Sequence, residues 1–506
     1  LSTISNKTTQ LTAKIIELAG VPDLTCLLFF SREAAAACVA FATSPTRKEG
    51  TIPADQIWIR LFDIHVRLYG VFYSKASHDA TAFWMNAGVG ISSRVAAESL
   101  KHIDLLHEVI DDSPAPVYTL SAAHSVLQER IATLLERATT IPRSAKVVPD
   151  DVYFFQSGMA SIYSVHTYLL QKYNAESVLF GFAFHSTPHI FEDFGPGMKH
   201  FGAGSEADLI DLEAFLGAKA GEGRKIQALW TEFPSNPNLG VANISELRRL
   251  ADKHDIILIA DDTIGSFCNI DLFGADGVDI AVSSLSKSFS GYADLLGGSA
   301  ILNPSSSKYA ELKTLFEVKY SNYFYNGDAE ALEKNSNDYL SRSTTLNTNA
   351  AALVSFLCIL AQDPQSSIAK IYYPSFGPSS IHYARRMRTP TPDFTPGYGC
   401  LFSIEFKTVQ QTIAFYDNLD THQGPHLGAH LTLAMPYVKG IYGRPSADGK
   451  SDLESVGKWG VRETQIRVSA GLEDARGLVE VFGRAVGIAD AVGIGNAGDE
   501  AEGVDY

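Results

Sequence analysis

Through the middle of the chain, short apolar runs end in polar clusters and are separated by amphipathic stretches. The runs cover residues 151–155, 177–180, 226–230, 256–260 and 278–282. Between them the spacing predicts helices, one from Met159 and one over Ile244–His254 with Asn243 as its N-cap. Strands buried on both faces read as such runs, so the pattern predicts an α/β unit: a mostly parallel sheet with helices on both faces. Ligands of such sheets bind beyond the carboxyl ends of the strands, where the polar clusters of this chain fall. Ahead of this unit, residues 1–117 mix helical stretches with apolar patches. The aromatic-rich segment 56–69 reads as packing or an oligomer contact. Behind it, helices over 328–340 and 347–362 lead to a smaller α/β C-terminal domain with strands at 400–406 and 465–469 and a last helix over 474–486. The expected divisions are an N-terminal segment 1–117, a large domain 118–345, a C-terminal domain 346–488 and a disordered acidic tail 489–506.

Composition narrows the partners. A chain of 506 residues, 45% apolar, can bury a large core. A formal charge of −16 points away from nucleic acid and anionic membrane, while leaving room for a local basic pocket around an anionic cofactor. The five cysteines are scattered without a CxxC pair, which suggests no disulfide framework and a cytoplasmic setting. No apolar run is read as a membrane span; Cys26 to Phe30 is short and Arg32 and Glu33 follow it.

Four polar clusters carry the chemistry. Lys287 stands in Val282-Ser-Ser-Leu-Ser-Lys-Ser-Phe-Ser-Gly291, one cation among hydroxyls at the end of an apolar run. A lysine held in such a pocket can lose its charge and form a Schiff base with an aldehyde, and flanking serines can hold a phosphate. Asp261, ending the preceding run, is the carboxylate that a protonated pyridine nitrogen requires. The strand-to-helix turn Gln156-Ser-Gly-Met-Ala160 can cradle a phosphate on backbone amides, and Glu232-Phe-Pro-Ser-Asn-Pro237 presents Asn236 on a braced turn. Taken singly, these are a surface lysine, a helix cap, a helix start and a turn. Their order on one scaffold suggests a shared ligand, pyridoxal 5′-phosphate (PLP).

The sequence resembles the Cys/Met-metabolism PLP-dependent enzymes, the cystathionine γ-synthase family of fold type I, over roughly residues 83–486. The anchors are Ser157-Gly-Met-Ala160, the turn at 232–237, Asp261-Asp-Thr263, the Lys287 segment with Asp294, and Ile466-Arg-Val-Ser-Ala-Gly-Leu-Glu-Asp474; Phe83 to Arg94 and the stretch from Gly424 to Tyr437 look like the fungal branch. The resemblance implies that Lys287 carries PLP as a Schiff base and then shuttles protons, and that Asp261 pairs with the ring nitrogen. It implies a phosphate site from the amides of Gly158 and Met159 and the hydroxyls of Ser284 and Ser286. Arg94 matches an arginine reaching the phosphate from a neighbouring subunit, so a homodimer is the least assembly and a tetramer the usual one. Arg467 matches the residue that takes the substrate α-carboxylate, Asn236 an amide beside it, and Thr432 a serine near the lysine.

The departures from the family pattern lie on the walls. Ser92 stands where a tyrosine is usual, and Phe184 replaces the tyrosine stacked on the ring. Leu431 stands in the Gly428 to Leu433 loop where a carboxylate is usual. His185, His189 and His430 read as wall or surface residues; no pair has zinc spacing, so no metal is expected. Cys268 reads as a small buried hydrophobe. The resemblance therefore implies γ-replacement on an O-activated L-homoserine, foremost the O-acetyl ester, through a vinylglycine ketimine. The altered walls tilt the second small nucleophile from cysteine toward carbon, such as a β-keto acid enolate, in fungal secondary metabolism. Cysteine giving cystathionine, an amine nucleophile, a lyase releasing a 2-oxo acid, and a non-enzymatic relative are the alternatives.

Overall fold

The structure, a computed structural model, describes residues 2–47, 50–75, 80–110, 113–443 and 452–495. Four strands form an N-terminal sheet: β1 (Leu24–Phe29), β2 (Ile57–Asp63), β3 (Arg67–Ser74) and β4 (His107–Val109), in the order β1-β3-β2-β4 and antiparallel throughout. The segment expected as packing or an oligomer contact is thus the β2–β3 hairpin. Its alternation explains it: Leu68 and Phe72 pack with Leu11, Ile15 and Val95, while Val71 and Tyr73 face the large domain. The helix Thr81–Ala87 and the strap after it are thereby laid against the large domain.

The large domain holds β5 (Val152–Phe155), β6 (Glu176–Phe180), β7 (Met198–Phe201), β8 (Ile226–Glu232), β9 (Ile257–Asp261), β10 (Ile280–Ser284) and β11 (Gly298–Leu302), ordered β5-β11-β10-β9-β8-β6-β7. From β10 to β7 every pair is parallel, and β11 is antiparallel to both neighbours. This is the mostly parallel α/β sheet expected. Successive residues of one strand enter different cores: Leu229 and Leu258 face one, Ala228, Trp230, Ile257 and Ile259 the other. Apolar residues at both parities are what a sheet covered on both faces needs. β11 begins Gly-Ser-Ala and gave no strand signal. Gly298 is small because a Cβ there would lie 2.1 Å from the Ser157 carbonyl oxygen.

The C-terminal sheet runs β12 (Ile368–Tyr372), β13 (Leu401–Phe406), β14 (His422–Gln423), β15 (Leu433–Met435) and β16 (Gln465–Ser469), ordered β12-β13-β16-β15-β14. The helix Tyr339–Leu360 joins the two domains: Tyr339 lies in the large core, and Ala350, Leu353, Val354 and Leu357 in the small one. The boundary expected at 345 therefore falls inside a helix. This helix is also long and apolar enough, by length and composition, to cross a membrane, which the sequence reading did not single out. In the fold two of its polar residues are buried against protein: Arg342 donates to the carbonyls of Ser288, Phe289 and Asn335, and Asn349 to those of Gly471 and Glu473. The last helix runs Ala475–Gly495 and buries Ala489, so the tail expected to be disordered from 489 begins within it. Residues 496–506 lie outside the described residues.

Candidate active site

Parallel register brings three strand ends to one place. Glu232 on β8 is level with Asp261 on β9, and Asp261 with Val282 on β10, so Ser284 projects two residues further. Thr263 ties the last two strands together, its Oγ1 accepting the Ser284 amide at 2.8 Å. Beyond these ends lies a cavity of about 400 Å³, a volume usual for a small-molecule site.

One wall is the helix Gly158–Tyr173. Ser157 caps it, its Oγ accepting the Ala160 amide at 3.0 Å and donating to the Gly88 carbonyl at 2.9 Å. The cap serves Ala160, and the first two residues of the helix, Gly158 and Met159, line the cavity. A Cβ on Gly158 would sit 2.6 Å from Ser284 Cβ, so only glycine lets the helix start approach the β10 end this closely. Ser286 also lines the cavity, but its Oγ accepts the Gly297 amide at 3.0 Å and bonds the Gly297 carbonyl at 3.3 Å.

Lys287 follows in a tight turn, its carbonyl accepting the Gly291 amide at 2.8 Å. Gly291 has φ +79°, and a Cβ there would collide with the Arg342 guanidinium. Burial, reinforced by the positive charge of Arg467, brings the Lys287 amine down to about 8, against a small upward pull from Asp261. Asp261 Oδ1 accepts the Thr263 amide at 2.9 Å, and burial raises its carboxyl above the usual range.

Opposite, Arg467 on β16 is buried, with Nη1 donating to Asn236 Oδ1 at 3.2 Å and Nη2 to the Pro425 carbonyl. Its guanidinium lies 4.3 Å from the centre of the Tyr437 ring. Both arginine and amide face the cavity, a geometry suited to one carboxylate.

The structure thus brings together Lys287, Asp261, Gly158, Met159, Ser284, Ser286, Phe184, Asn236 and Arg467. Two expected residues stand apart. Arg94 bonds the carbonyl and carboxylate of Asp294 at 2.9 Å and Asp328 at 3.2 Å, so within one chain it fastens the strap to the loop after Lys287. Thr432 is buried, donating to Glu473 at 2.8 Å and accepting the Gly471 amide at 2.9 Å. Glu473 supplies a carboxylate to the loop in which Leu431 replaces one.

Three residues had no role from sequence. Glu232 accepts the Phe184 amide at 2.6 Å, and burial with neighbouring Asp261 holds its carboxyl well above the carboxylate range. Its place at the head of the Glu232-to-Pro237 turn was the available signal. Tyr437 stacks on Arg467. His426 lines the cavity, and burial beside Lys287 pushes it down to about 3; His185, likewise on the wall, is brought to about 4 by burial and His189.

Comparison with known proteins shows the family. The model of the Cys/Met metabolism PLP-dependent enzymes matches residues 119–486, and that of the fungal trans-sulfuration enzyme N-terminal domain matches residues 7–92. The chain is 36% identical over 434 residues to an alanine racemase of Aspergillus violaceofuscus, covering 81% of this chain and 72% of the relative. It is 34% identical over 465 residues to a cystathionine gamma-synthase-like enzyme of Amanita muscaria, covering 81% and 75%. A solved cystathionine gamma lyase of Micromonospora echinospora shares the fold, with a TM-score of 0.57 and 20% identity over 75% of this chain and 90% of its own.

The residues present fit the cofactor. The Gly158 cradle and the Ser284 end suit a phosphate, Asp261 a pyridinium nitrogen, and the lowered Lys287 amine an aldehyde. A site made by three strand ends, a glycine cradle and a buried arginine lies within the stretch that the family model matches: the chain belongs to the Cys/Met metabolism PLP-dependent enzymes, carries the fungal trans-sulfuration N-terminal domain, and uses pyridoxal phosphate.

Proposed function

We propose that the protein replaces the γ-substituent of an O-activated L-homoserine, foremost O-acetyl-L-homoserine, with a stabilised carbon nucleophile of the β-keto type, in fungal secondary metabolism. The observation that carries the reading is the convergence of Lys287, Asp261, Asn236 and Arg467 on a cavity whose wall departs from the family pattern at Ser92 and Phe184. Arg467 and Asn236 take the α-carboxylate and orient the Cα proton toward Lys287. Lys287, largely neutral above about pH 8, accepts that proton and returns one after the nucleophile has added. PLP, when bound, supplies the electron sink for charge that develops on the substrate carbons. Asp261 keeps a proton at the ring nitrogen, and Glu232 holds the Phe184 backbone so that its ring walls the site. The named relatives span racemisation and cystathionine γ-synthase-like chemistry, which supports a scaffold whose cofactor half is kept while outcomes vary.

Assembly into at least a dimer belongs to the proposal, supported by Ile110 and Val117, which are 99% and 93% exposed. A cytoplasmic setting is supported by the five free cysteines. The test incubates holoenzyme with O-acetyl-L-homoserine and competing cysteine, proline, acetoacetate and ethyl acetoacetate, and reads products by mass. Cystathionine as the dominant product overturns the carbon nucleophile. Lys287→Ala is expected to abolish turnover together with the near-visible Schiff-base absorption. A second reading rests on the 36% identity to an alanine racemase; appearance of D-alanine from L-alanine, by chiral chromatography, favours it.

A further inference from the structure

Several polar groups on the cavity wall are bonded within the protein. Ser157 is held by Gly88 and Ala160, Ser286 by Gly297, and Glu232 by Phe184. Among the described lining residues, two side-chain polar atoms are enclosed with no hydrogen-bond partner: Nδ1 of His185 and Nδ1 of His426. The His185 ring packs on Phe184, with ring centres 4.2 Å apart. His426 stands instead on the loop that reaches from Arg467 to the lysine turn.

That loop is fixed along its length. The Pro425 carbonyl accepts from Arg467, the Gly428 amide donates to Ser469 Oγ at 2.9 Å, and the His430 amide donates to the Gly291 carbonyl at 3.0 Å. Gly428 has φ +71°, and a Cβ there would lie 2.5 Å from the Ser288 nitrogen, so glycine is what seats the loop on the residue after Lys287. An amino acid held by its carboxylate at Arg467 and by its Cα at Lys287 therefore lies along the loop that carries His426.

An N–H at the enclosed Nδ1 would be stranded, so the tautomer of lower cost carries its proton on Nε2, the nitrogen left to the cavity. Burial and the charges of Lys287 and Arg467 bring the imidazole down to about 3, against upward pulls from the backbone of Ser286 and Leu427. It therefore stays uncharged wherever the Lys287 amine is reactive. Such a ring is a poor base but a competent hydrogen-bond donor to a developing anion.

We infer that Nε2–H of His426 donates to the acyl oxygen of the γ-ester and stabilises the carboxylate as it leaves, so that an acyl ester is the leaving group this wall serves. This rests on the γ-replacement reading. In the step, the Cγ–O bond breaks and its electron pair departs with acetate. The charge is matched by the proton that the substrate carbon gives up to Lys287. The imidazole transfers no proton; its hydrogen bond strengthens as negative charge gathers on the acetate oxygens.

The test compares O-acetyl-L-homoserine with its γ-chloro analogue, in which chloride replaces the ester and no acyl oxygen can receive the N–H. Acetate and chloride release are followed in single turnovers of holoenzyme, with and without cysteine or acetylacetone. His426→Leu should slow acetate release by about 100-fold or more, and should slow chloride release at least about tenfold less than that. His426→Gln, whose side-chain amide still donates, should lose less than His426→Leu on the ester. Equal losses on ester and chloride in both variants mark a packing role and overturn the inference, and so does a loss under about threefold on the ester in His426→Leu. A wild-type protein that releases neither acetate nor chloride overturns the γ-replacement reading and the inference with it. Wild-type release of both, without the split between them in the variants, overturns the inference alone.

Discussion

Replacing Gly158 with alanine adds one methyl group where the phosphate cradle is tightest. The new Cβ would lie 2.6 Å from Ser284 Cβ and 3.0 Å from Ser284 Cα. Carbon atoms rest at about 3.5–4.0 Å, so the helix start and the β10 end must separate by roughly 1 Å. Both sides are backbone or anchored to it, Ser284 through the hydrogen bond its amide donates to Thr263 Oγ1. Two effects on folding oppose each other: alanine favours the helix by about 0.5–1 kcal/mol, and overpacking costs about 1–3 kcal/mol. Apo-protein stability should therefore fall by no more than about 2.5 kcal/mol. Cofactor affinity should fall further, because opening the cradle removes at least one charge-assisted bond to phosphate, worth about 1.5–3 kcal/mol, or roughly 10- to 150-fold in Kd. The assay is titration of apo-protein with PLP, followed by absorbance, beside thermal melts of the apo form. Gly217→Ala is the control, since a Cβ there meets nothing within 4 Å. A Gly158→Ala protein whose Kd for PLP stays within about twofold of wild type would refute the cradle.

Arg467→Lys should raise KM for the amino-acid substrate by about tenfold or more, since a lysine cannot reproduce the planar fork. Tyr437→Leu should raise the same KM by about two- to fivefold by removing the stacked face, whereas Tyr437→Phe keeps the face and stays near wild type. The rate at which apo-protein forms its Schiff base with PLP should rise with pH through a midpoint near 8, because only the neutral Lys287 amine attacks. Arg467 favours that neutral form, so Arg467→Gln should move the midpoint upward; a downward or absent shift, read by stopped-flow absorbance, contradicts the assignment. Glu232→Gln should keep most activity, because the amide oxygen still accepts the Phe184 amide and burial beside Asp261 already disfavours the charged carboxylate. Glu232→Ala leaves that amide unpaired and should cost about 1–3 kcal/mol in thermal unfolding.

Sequence periodicity located the parallel strands because burial on both faces writes a run with no polar phase. It missed β11, where Gly298 and Ser299 are chosen for closeness to Ser157 rather than for strand propensity. The N-terminal hairpin was passed over because its residues serve two cores, which hides the alternation in an aromatic-rich run. Within the site, residues that act through their own chemistry were legible: Lys287 and Asp261 have bland uses when taken singly, but their order on one scaffold marked them, and Arg467 stood in a motif of the family. Glu232 and Tyr437 act by holding Phe184 and Arg467, and that depends on register and packing that no local motif contains. Thr432 and Arg94 show the converse. Their motif positions matched, yet within the chain their hydrogen bonds go to Glu473 and to Asp294 and Asp328.

The helix Tyr339–Leu360 begins beneath the lysine turn, where Arg342 grips the carbonyls of Ser288 and Phe289, and ends in the core of the C-terminal domain. A single unbroken rod spanning both domains transmits torque but does not fold, so the pair has no hinge along this path. The cavity lining at 84–92 and 425–428 is not part of the rod. Such a division lets substitutions accumulate on the lining while the rod stays unchanged, and a family built this way can change what it accepts without rebuilding how it reacts.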